Sequence, residues 1–395
     1  MFLSLLLGLV GIALTLATLP LLAELLILTA AALLPAPKPP EEDATSQFPP
    51  IAVLVPAHNE ESLIGRCVRS VRASADAGLE IFVVAHNCTD TTAAEADAAG
   101  ARVLVLNDAS RKGKGCALSY GFGVALAGPA QAILVVDADS LVDSGLIAAV
   151  RQKFLTGARA LQCRYEVYNS QDSRRTKLMT LAFYAFNVIR PRGRARLGLS
   201  AGILGNGFAL HRDVLTQIPY GAHSIVEDLE YHLALVRAGI RVEFLNAAAV
   251  RGEMPLTAKS AQTQRARWEG GRMLMMRQWV PGLMADVSRG RLRLIEPLLD
   301  LLALPIATEV TLLLVAACLP ITWLRLYVLG AFSVLFLHVM IAAILGSGFW
   351  KAMEALTTVP AYILWKLWIL PEIWRASKSN AAWARTKRES PADSR

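Results

Sequence analysis

Residues 132–141 read AILVVDADSL. The apolar residues from Ala132 to Val136 run without interruption into Asp137-Ala138-Asp139. A short, unbroken run rich in branched aliphatics predicts a strand buried on both faces, and hence a parallel sheet covered by helices. The carboxyl end of such a strand is where open α/β sheets place their ligands. Two carboxylates one residue apart leave one free to ligate a hard divalent cation while the other positions a neighbouring group. A polar turn that merely ends a strand has the same spelling, because aspartate is a common turn residue.

The surroundings of this strand are unusually apolar. Hydrophobic residues make up 54% of the 395-residue chain, and mean hydropathy is +0.42. The excess is concentrated at the two ends, which predicts an integral membrane protein with a water-facing insert and more than one structural unit. Residues 2–34 are almost wholly apolar, with Pro20 and Glu24 among the few exceptions. As a helix they would reach roughly 50 Å against about 30 Å of hydrocarbon. They lack the basic start of a signal peptide, so residues 1–34 are expected to be a retained transmembrane helix, with Glu24 near an interface or facing protein. Residues 35–49 are expected to be a proline-rich linker. At the other end, spans are expected at 298–319 and 322–345, with an interfacial helix at 359–374 inside a C-terminal region covering 281–395. The tail carries Arg375, Lys378, Arg385, Lys387 and Arg388, which places it and the central insert in the cytoplasm, expected to be that of a bacterial inner membrane. The net charge of +8 then reflects anchoring and anionic head groups rather than nucleic acid, for which no motif is present. The five scattered cysteines have no CxxC spacing, which fits a reduced compartment and argues against zinc.

The insert, residues 50–280, alternates strands with helices. Strands are expected at 51–55, 80–85, 102–106 and from Ala132, and helices at 62–74, 92–100 and 116–126. This rhythm predicts a mostly parallel, doubly wound nucleotide-binding sheet. After Tyr165 the pattern changes. An apolar stretch at 176–189 is flanked by Arg174, Arg175 and Lys177, and Arg190, Arg192, Arg194 and Arg196 follow at alternate positions. A basic rim beside an apolar helix suits an anionic membrane face, and a core helix followed by a solvated basic loop fits equally well. A glycine-rich stretch follows at 202–207.

Two further stretches carry chemistry. Glu227-Asp228 opens a helix expected at 225–238. A carboxylate there either favours the helix dipole or serves as a general base toward an attacking hydroxyl. In Gln264-Arg265-Ala266-Arg267-Trp268, helical spacing puts Gln264, Arg267 and Trp268 on one face. That face offers an amide, a guanidinium fork suited to phosphate oxygens, and an indole on which a sugar ring can stack. An amphipathic helix with an aromatic anchor at a membrane interface would look the same.

In this order, D-x-D, E-D and Q-x-x-R-W ahead of apolar spans resemble the membrane-bound glycosyltransferases of family two. These include the cellulose, chitin and hyaluronan synthases and the bacterial exopolysaccharide transferases, which share a GT-A fold. The resemblance covers roughly residues 50–279. It implies that Pro56, His58, Asn59 and Glu60 line the nucleotide base and ribose, that Asn87 and Asp90 form a second nucleotide turn, and that Lys114 lines the donor pocket. It implies further that Asp137 and Asp139 are the D-x-D pair, with Asp139 the ligand of Mg²⁺ or Mn²⁺. Asp228, with Glu227 beside it, matches the catalytic base. Gln264, Arg267 and Trp268 match the acceptor and diphosphate motif. The chain departs from the family where an acidic pair usually precedes Asn87: here it is Ala85-His86.

The implied reaction moves a sugar from a nucleotide sugar, expected to be UDP-linked, in a single displacement that inverts the anomeric centre. No second apposed carboxylate for a double displacement is identifiable. With few apolar spans, the expected acceptor is a lipid-linked saccharide in exopolysaccharide or cell-surface glycan synthesis. The Arg190–Arg196 row is expected at its diphosphate head group. Alternatives are a processive synthase, with a homo-oligomer supplying further helices, and a catalytically silent nucleotide-sugar-binding subunit of an export complex.

Overall fold

The computed structural model describes residues 2–36, 49–75 and 78–378. Most of the expected linker and the basic tail beyond Lys378 lie outside the described residues. Helix α1 (Phe2–Ala32) opens the chain, followed by β1 (Ile51–Ala57), α2 (Ile64–Ala73), β2 (Glu80–His86), α3 (Thr92–Ala98), β3 (Arg102–Leu106), α4 (Lys114–Ala127), β4 (Ala132–Val135), β5 (Ser140–Val142), α5 (Leu146–Leu155) and β6 (Ala160–Val167). Then come α6 (Arg174–Tyr184), α7 (Arg190–Arg196), β7 (Phe208–His211), α8 (Arg212–Gln217), α9 (Glu227–Arg237), β8 (Val242–Gly252) and α10 (Ala258–Ser288). The chain closes with α11 (Ile295–Leu302), α12 (Ile306–Cys318), α13 (Thr322–Ala342), α14 (Phe349–Leu356), α15 (Val359–Trp368) and α16 (Leu370–Ala376).

These elements form two compact units. One, the sheet unit, comprises residues 35–170 and 194–254; the other, the helical unit, comprises 1–34, 171–193 and 255–395. Residues 171–193 and the start of α10, expected inside one domain at 50–280, thus belong to the helical unit, and position 280 falls within α10.

The sheet unit holds eight strands in the order β3-β2-β1-β4-β7-β6-β8-β5. Its first half is parallel, as the sequence predicts: β1 pairs with β2 and β4, and β2 with β3, all in the same direction. The second half is mixed. β7 runs antiparallel to both β4 and β6, β5 antiparallel to β8, and β6 parallel to β8. Two cores cover the sheet. One face packs Ile64, Val68 and Val71 of α2 and Leu146, Ile147 and Val150 of α5 against Val53, Val55 and Leu134. The other packs Leu118 and Phe122 of α4 and Tyr231 and Leu235 of α9 against Leu54, Ile133 and Val135. Residues 132–136 are completely buried, which accounts for the absence of polar alternation in their sequence.

In the helical unit, two helices are long and apolar enough to cross a membrane: Phe2–Ala32 and Thr322–Gly346. The stretch expected as a span at 298–319 is built from two helices, Leu292–Leu302 and Ile306–Cys318, bent by 77° at their junction, the form of a broken span or a re-entrant loop. Ala303 and Pro305 are extended there, as expected where proline removes a donor and disfavours helical geometry in the residue before it. Leu21 and Leu25 of α1, Leu313 and Ala316 of α12, and Leu324, Val328 and Leu335 of α13 share one core. Glu24 faces protein, where its carboxylate bonds to Arg190, which also bonds to Asp300. The 359–374 segment is two short helices that meet at Ile369, two residues ahead of Pro371.

Candidate active site

The carboxyl ends of the parallel strands meet in loops that are pinned to one another. β1 runs into His58 and Asn59, and β2 into Asn87. Asn59 and Asn87 both take the left-handed backbone conformation, at φ 56° and 52°. Such geometry costs free energy in residues other than glycine and persists where the surroundings enforce it. The enforcement is visible. His58 Nδ1 donates to the His86 carbonyl at 2.8 Å, Thr89 N donates to Asn59 Oδ1 at 2.7 Å, and Glu60 N donates to Thr92 Oγ1 at 2.7 Å. Asn87 Nδ2 donates to the Asp108 carbonyl at 2.9 Å, and Asp108 N donates back to Asn87 Oδ1 at 2.7 Å. The carboxylate of Asp90 accepts from the amide and hydroxyl of Thr92 and from the Glu61 amide. Partial burial works against its ionisation, but those bonds prevail and hold its carboxyl below the usual range. Asn59, Asn87 and Asp90 therefore shape the turns through their side chains.

His86 stands where the acidic residue would be. It is buried, and its Nε2 donates to the Arg111 carbonyl at 2.9 Å. Burial pushes the imidazole below its ordinary value, so it is neutral at pH 7. Pro56, the penultimate residue of β1, pairs with Val84.

The strand-end aspartates lie beside the helix that carries Lys114. Lys114 Nζ bonds to the Asp137 carboxylate and donates to the Gly205 carbonyl at 2.6 Å. Desolvation opposes its charge, but the negative charges of Asp137, Glu227 and Asp228 raise its pKa above the ordinary lysine value. One ammonium therefore gathers the D-x-D turn, the 205–207 loop and the start of α9. Asp139, nine-tenths buried, accepts from Ser140 Oγ at 3.2 Å. Asp228 accepts at Oδ1 from the Leu229 amide at 2.9 Å. Its Oδ2 lies 2.9 Å from where a Cβ on Gly205 would stand.

Residues without a sequence-level role support this turn. Asn206, fully buried, accepts from the Asp137 amide at 3.0 Å and donates to Ser140 Oγ at 2.8 Å. Gln162, also fully buried, donates to the Asn206 carbonyl and accepts from the Leu204 amide, each at 2.8 Å. The glycine-rich spelling at 202–207 was the only signal of this loop, and nothing in the sequence linked Gln162 to it.

Among the described residues, no cluster of three or more His, Cys, Asp or Glu side chains is arranged to hold a metal ion. Mg²⁺ and Mn²⁺ commonly take one or two protein carboxylates and complete their shells with substrate phosphates and water. Asp139 is the carboxylate that such an ion would use, since Asp137 is ion-paired to Lys114.

Gln264, Arg267 and Trp268 lie on α10 in the helical unit. Gln264 is buried, and Arg267 has a buried Nε without a hydrogen-bond partner. Trp268 packs against Phe183 with ring centroids 6.1 Å apart, and the Arg265 guanidinium lies 5.1 Å from its ring centre. The arginine row does not form a rim. Arg190 is buried between Glu24 and Asp300 in the helical unit, and Arg194 is buried in the sheet unit, where it donates to the Ala201 carbonyl at 3.4 Å. Alternation placed these guanidiniums on one edge only if the segment were extended, whereas it is helical.

Residues 49–271 match the family described as "Glycosyltransferase like family 2". The chain belongs to that family. A Bacillus subtilis (strain 168) protein named "Probable glycosyltransferase YdaM" is 25% identical over 236 residues, 57% of this chain and 56% of the relative. The "Beta-monoglucosyldiacylglycerol synthase" of Nostoc sp. (strain PCC 7120 / SAG 25.82 / UTEX 2576) is 26% identical over 255 residues, 62% of this chain and 53% of the relative. This family 2 chain thus spans about half the length of the curated relatives it matches. Its fold is similar to that of a mannosyltransferase from Pyrobaculum calidifontis, solved in complex with GDP-Man and Mn²⁺. The TM-score is 0.55 at 18% identity, covering 91% of this chain and 99% of that one. The family 2 domain is therefore of the GT-A type, with a mixed α/β sheet.

Proposed function

We propose that this family 2 transferase moves one sugar from a UDP-linked donor to a hydroxyl of a membrane lipid or lipid-linked saccharide, with inversion at the anomeric carbon. The observation that carries the reading is the convergence of Asp137, Asp228 and the Gly205 loop on Lys114, in a chain that also has two helices apolar enough to span a membrane. The name of the cyanobacterial relative, a glucosyldiacylglycerol synthase, supports a lipid acceptor.

In this mechanism the pinned loops after β1 and β2 bind the nucleoside. Asp228 takes the proton from the acceptor hydroxyl, whose oxygen attacks the anomeric carbon. The new glycosidic bond forms as the bond to the diphosphate oxygen breaks, and the nucleoside diphosphate leaves with the electron pair. Lys114 neutralises charge at the aspartate turn and holds the loop that bounds Asp228. A divalent cation held by Asp139 would supply further charge neutralisation at the diphosphate. Arg267 and Trp268 are assigned to the acceptor and α1 and α13 to anchoring, with the sheet unit on the cytoplasmic side.

The test is a radiolabelled-donor assay on the full chain in lipid, scanning UDP- and GDP-sugars with diacylglycerol and polyprenyl-diphosphate acceptors, with and without EDTA. A product extracted into organic solvent and carrying one added sugar supports the reading. A water-soluble ladder of products overturns the single-addition reading in favour of a processive synthase. Saturable nucleotide binding without transfer to any acceptor overturns the enzyme reading.

A further inference from the structure

The turn of the sheet unit that carries Asp137 and Asp139 is tied into a chain of buried polar side chains. Asn206 Oδ1 accepts from the Asp137 amide at 3.0 Å, and Asn206 Nδ2 donates to Ser140 Oγ at 2.8 Å. Ser140 Oγ donates in turn to Asp139 Oδ1 at 3.2 Å. Ser140 is 1% exposed, and Asn206 and Gln162 are fully buried. The Ser140 amide also closes the turn by donating to the Asp137 carbonyl at 3.0 Å.

Elementary donor and acceptor chemistry fixes the direction of this chain. A backbone amide can only donate, so the atom of Asn206 that faces Asp137 is the oxygen, and the NH₂ group faces Ser140. The serine hydroxyl therefore accepts from Asn206, and its single proton goes to Asp139. Gln162 is set in the same way. The Leu204 amide takes its Oε1 at 2.8 Å, which turns Nε2 to the carbonyls of Asn206 and Cys163 at 2.8 and 2.9 Å. The next residue after Asn206 is pinned as well, since Gly207 N donates to the Val135 carbonyl of β4 at 3.0 Å. With both amides clamped, the hydroxyl is aimed at Asp139, and a hydrogen bond at Oδ1 restricts rotation of the carboxylate and so sets where Oδ2 stands.

We propose that Ser140, oriented by Asn206, is a positioning residue for the divalent cation: it holds the Asp139 carboxylate in the rotation in which that carboxylate ligates the ion. The inference rests on the reading of Asp139 as the metal ligand and deepens it, because it gives part of the ion's affinity to side chains buried beside the turn. A carboxylate that is already oriented presents its oxygen to the ion, whereas one free to rotate must be ordered by the ion itself. Loss of such an outer partner costs about 10–100-fold in metal affinity.

The full chain, purified in detergent, is titrated with Mn²⁺ by isothermal calorimetry in the presence of saturating UDP, with GDP in parallel. Ser140→Ala is expected to weaken Mn²⁺ binding about 10–100-fold. Ser140→Thr, which restores the hydroxyl, is expected to recover much of that loss. Damage to packing would give the opposite order, because threonine adds a methyl group to a buried position. Asn206→Ala is expected to weaken Mn²⁺ as Ser140→Ala does, and the double variant to lose no more than the worse single one, since both break the same chain. Mn²⁺ affinity unchanged in Ser140→Ala, or lower in Ser140→Thr than in Ser140→Ala, overturns the role of the hydroxyl and leaves the reading of Asp139 standing. Additive losses in the double variant overturn the part given to Asn206; if Asn206→Ala does not fold, the two Ser140 variants decide. A wild-type chain that binds no Mn²⁺, or an Asp139→Ala chain that binds it as well as wild type, overturns the metal reading and this inference together.

Discussion

Asp228 stands so close to Gly205 that a Cβ on that glycine would lie 2.9 Å from Oδ2 of the carboxylate. Gly205 also has a positive φ of 80°, which side-chain-bearing residues rarely adopt. Gly205→Ala is therefore expected to displace the candidate base and disturb the carbonyl that Lys114 uses. The expected result is a fall in kcat of roughly 10²-fold, the scale of a 1 Å misplacement, with nucleotide affinity changed far less. Steady-state kinetics beside nucleotide titration would separate the two quantities, and an unchanged kcat would detach Gly205 from the chemistry.

Removing the base itself tests the assignment more directly. Asp228→Asn keeps the shape and the bond from the Leu229 amide but cannot take a proton. Transfer is expected to fall by about 10²–10⁴-fold while nucleotide binding persists. Retained turnover would move the role of base elsewhere, with Glu227 as the first candidate.

Asp139→Ala is expected to remove dependence on a divalent cation together with activity. Asp137→Ala should instead release Lys114 and disorder the 205–207 loop. Isothermal titration of Mn²⁺ in the presence of nucleoside diphosphate distinguishes the two: binding should be lost in the first variant and weakened in the second. Equal loss in both would mean that Asp137 also ligates the ion.

The first half of the sheet was legible because its strands are buried on both faces and alternate with helices, leaving compact apolar runs between polar turns. The second half was not. β6 carries Gln162, Arg164 and Glu166, and β7 is four residues long between a glycine-rich loop and a helix. Their pairing is fixed by long-range contacts that no local pattern encodes. The candidate site divides the same way. Asp137 and Asp139 stood out by their spacing and Asp228 through the resemblance, whereas Gln162 and Asn206 hold a turn distant in sequence. Arg190 and Arg194 misled because alternate basic residues look exposed, and only the fold reveals the carboxylates of Glu24 and Asp300 that bury Arg190.

Acid is expected to loosen the loop that follows β2. His86 is buried and neutral, with its pKa held below the ordinary 6.5 by desolvation. Below pH 6.5 the unfolded chain therefore binds a proton that the folded chain resists, so stability rises with pH across this window and is lost as pH falls through it. Nucleotide affinity is expected to drop as pH falls below 6.5. His86→Gln, which cannot charge, should flatten that profile. A profile of the same steepness in the variant would assign the titration to another group.

In the helical unit, Arg190 bonds to both Glu24 and Asp300, and Arg272 lies 3.5 Å from Asp300. Arg190→Leu removes the charge that the buried Glu24 carboxylate and the half-buried Asp300 carboxylate face, and losing one partner of a buried pair costs roughly 3–5 kcal/mol. The expected outcome is a lower thermal midpoint in detergent. Glu24→Leu combined with Arg190→Leu should recover part of the loss, because the pair is then replaced by apolar side chains of similar size. If the double variant loses as much as Arg190→Leu and Glu24→Leu lose separately when added, Glu24 and Arg190 are not energetically coupled, and the packing of α1 would rest on its leucine contacts with α12 and α13.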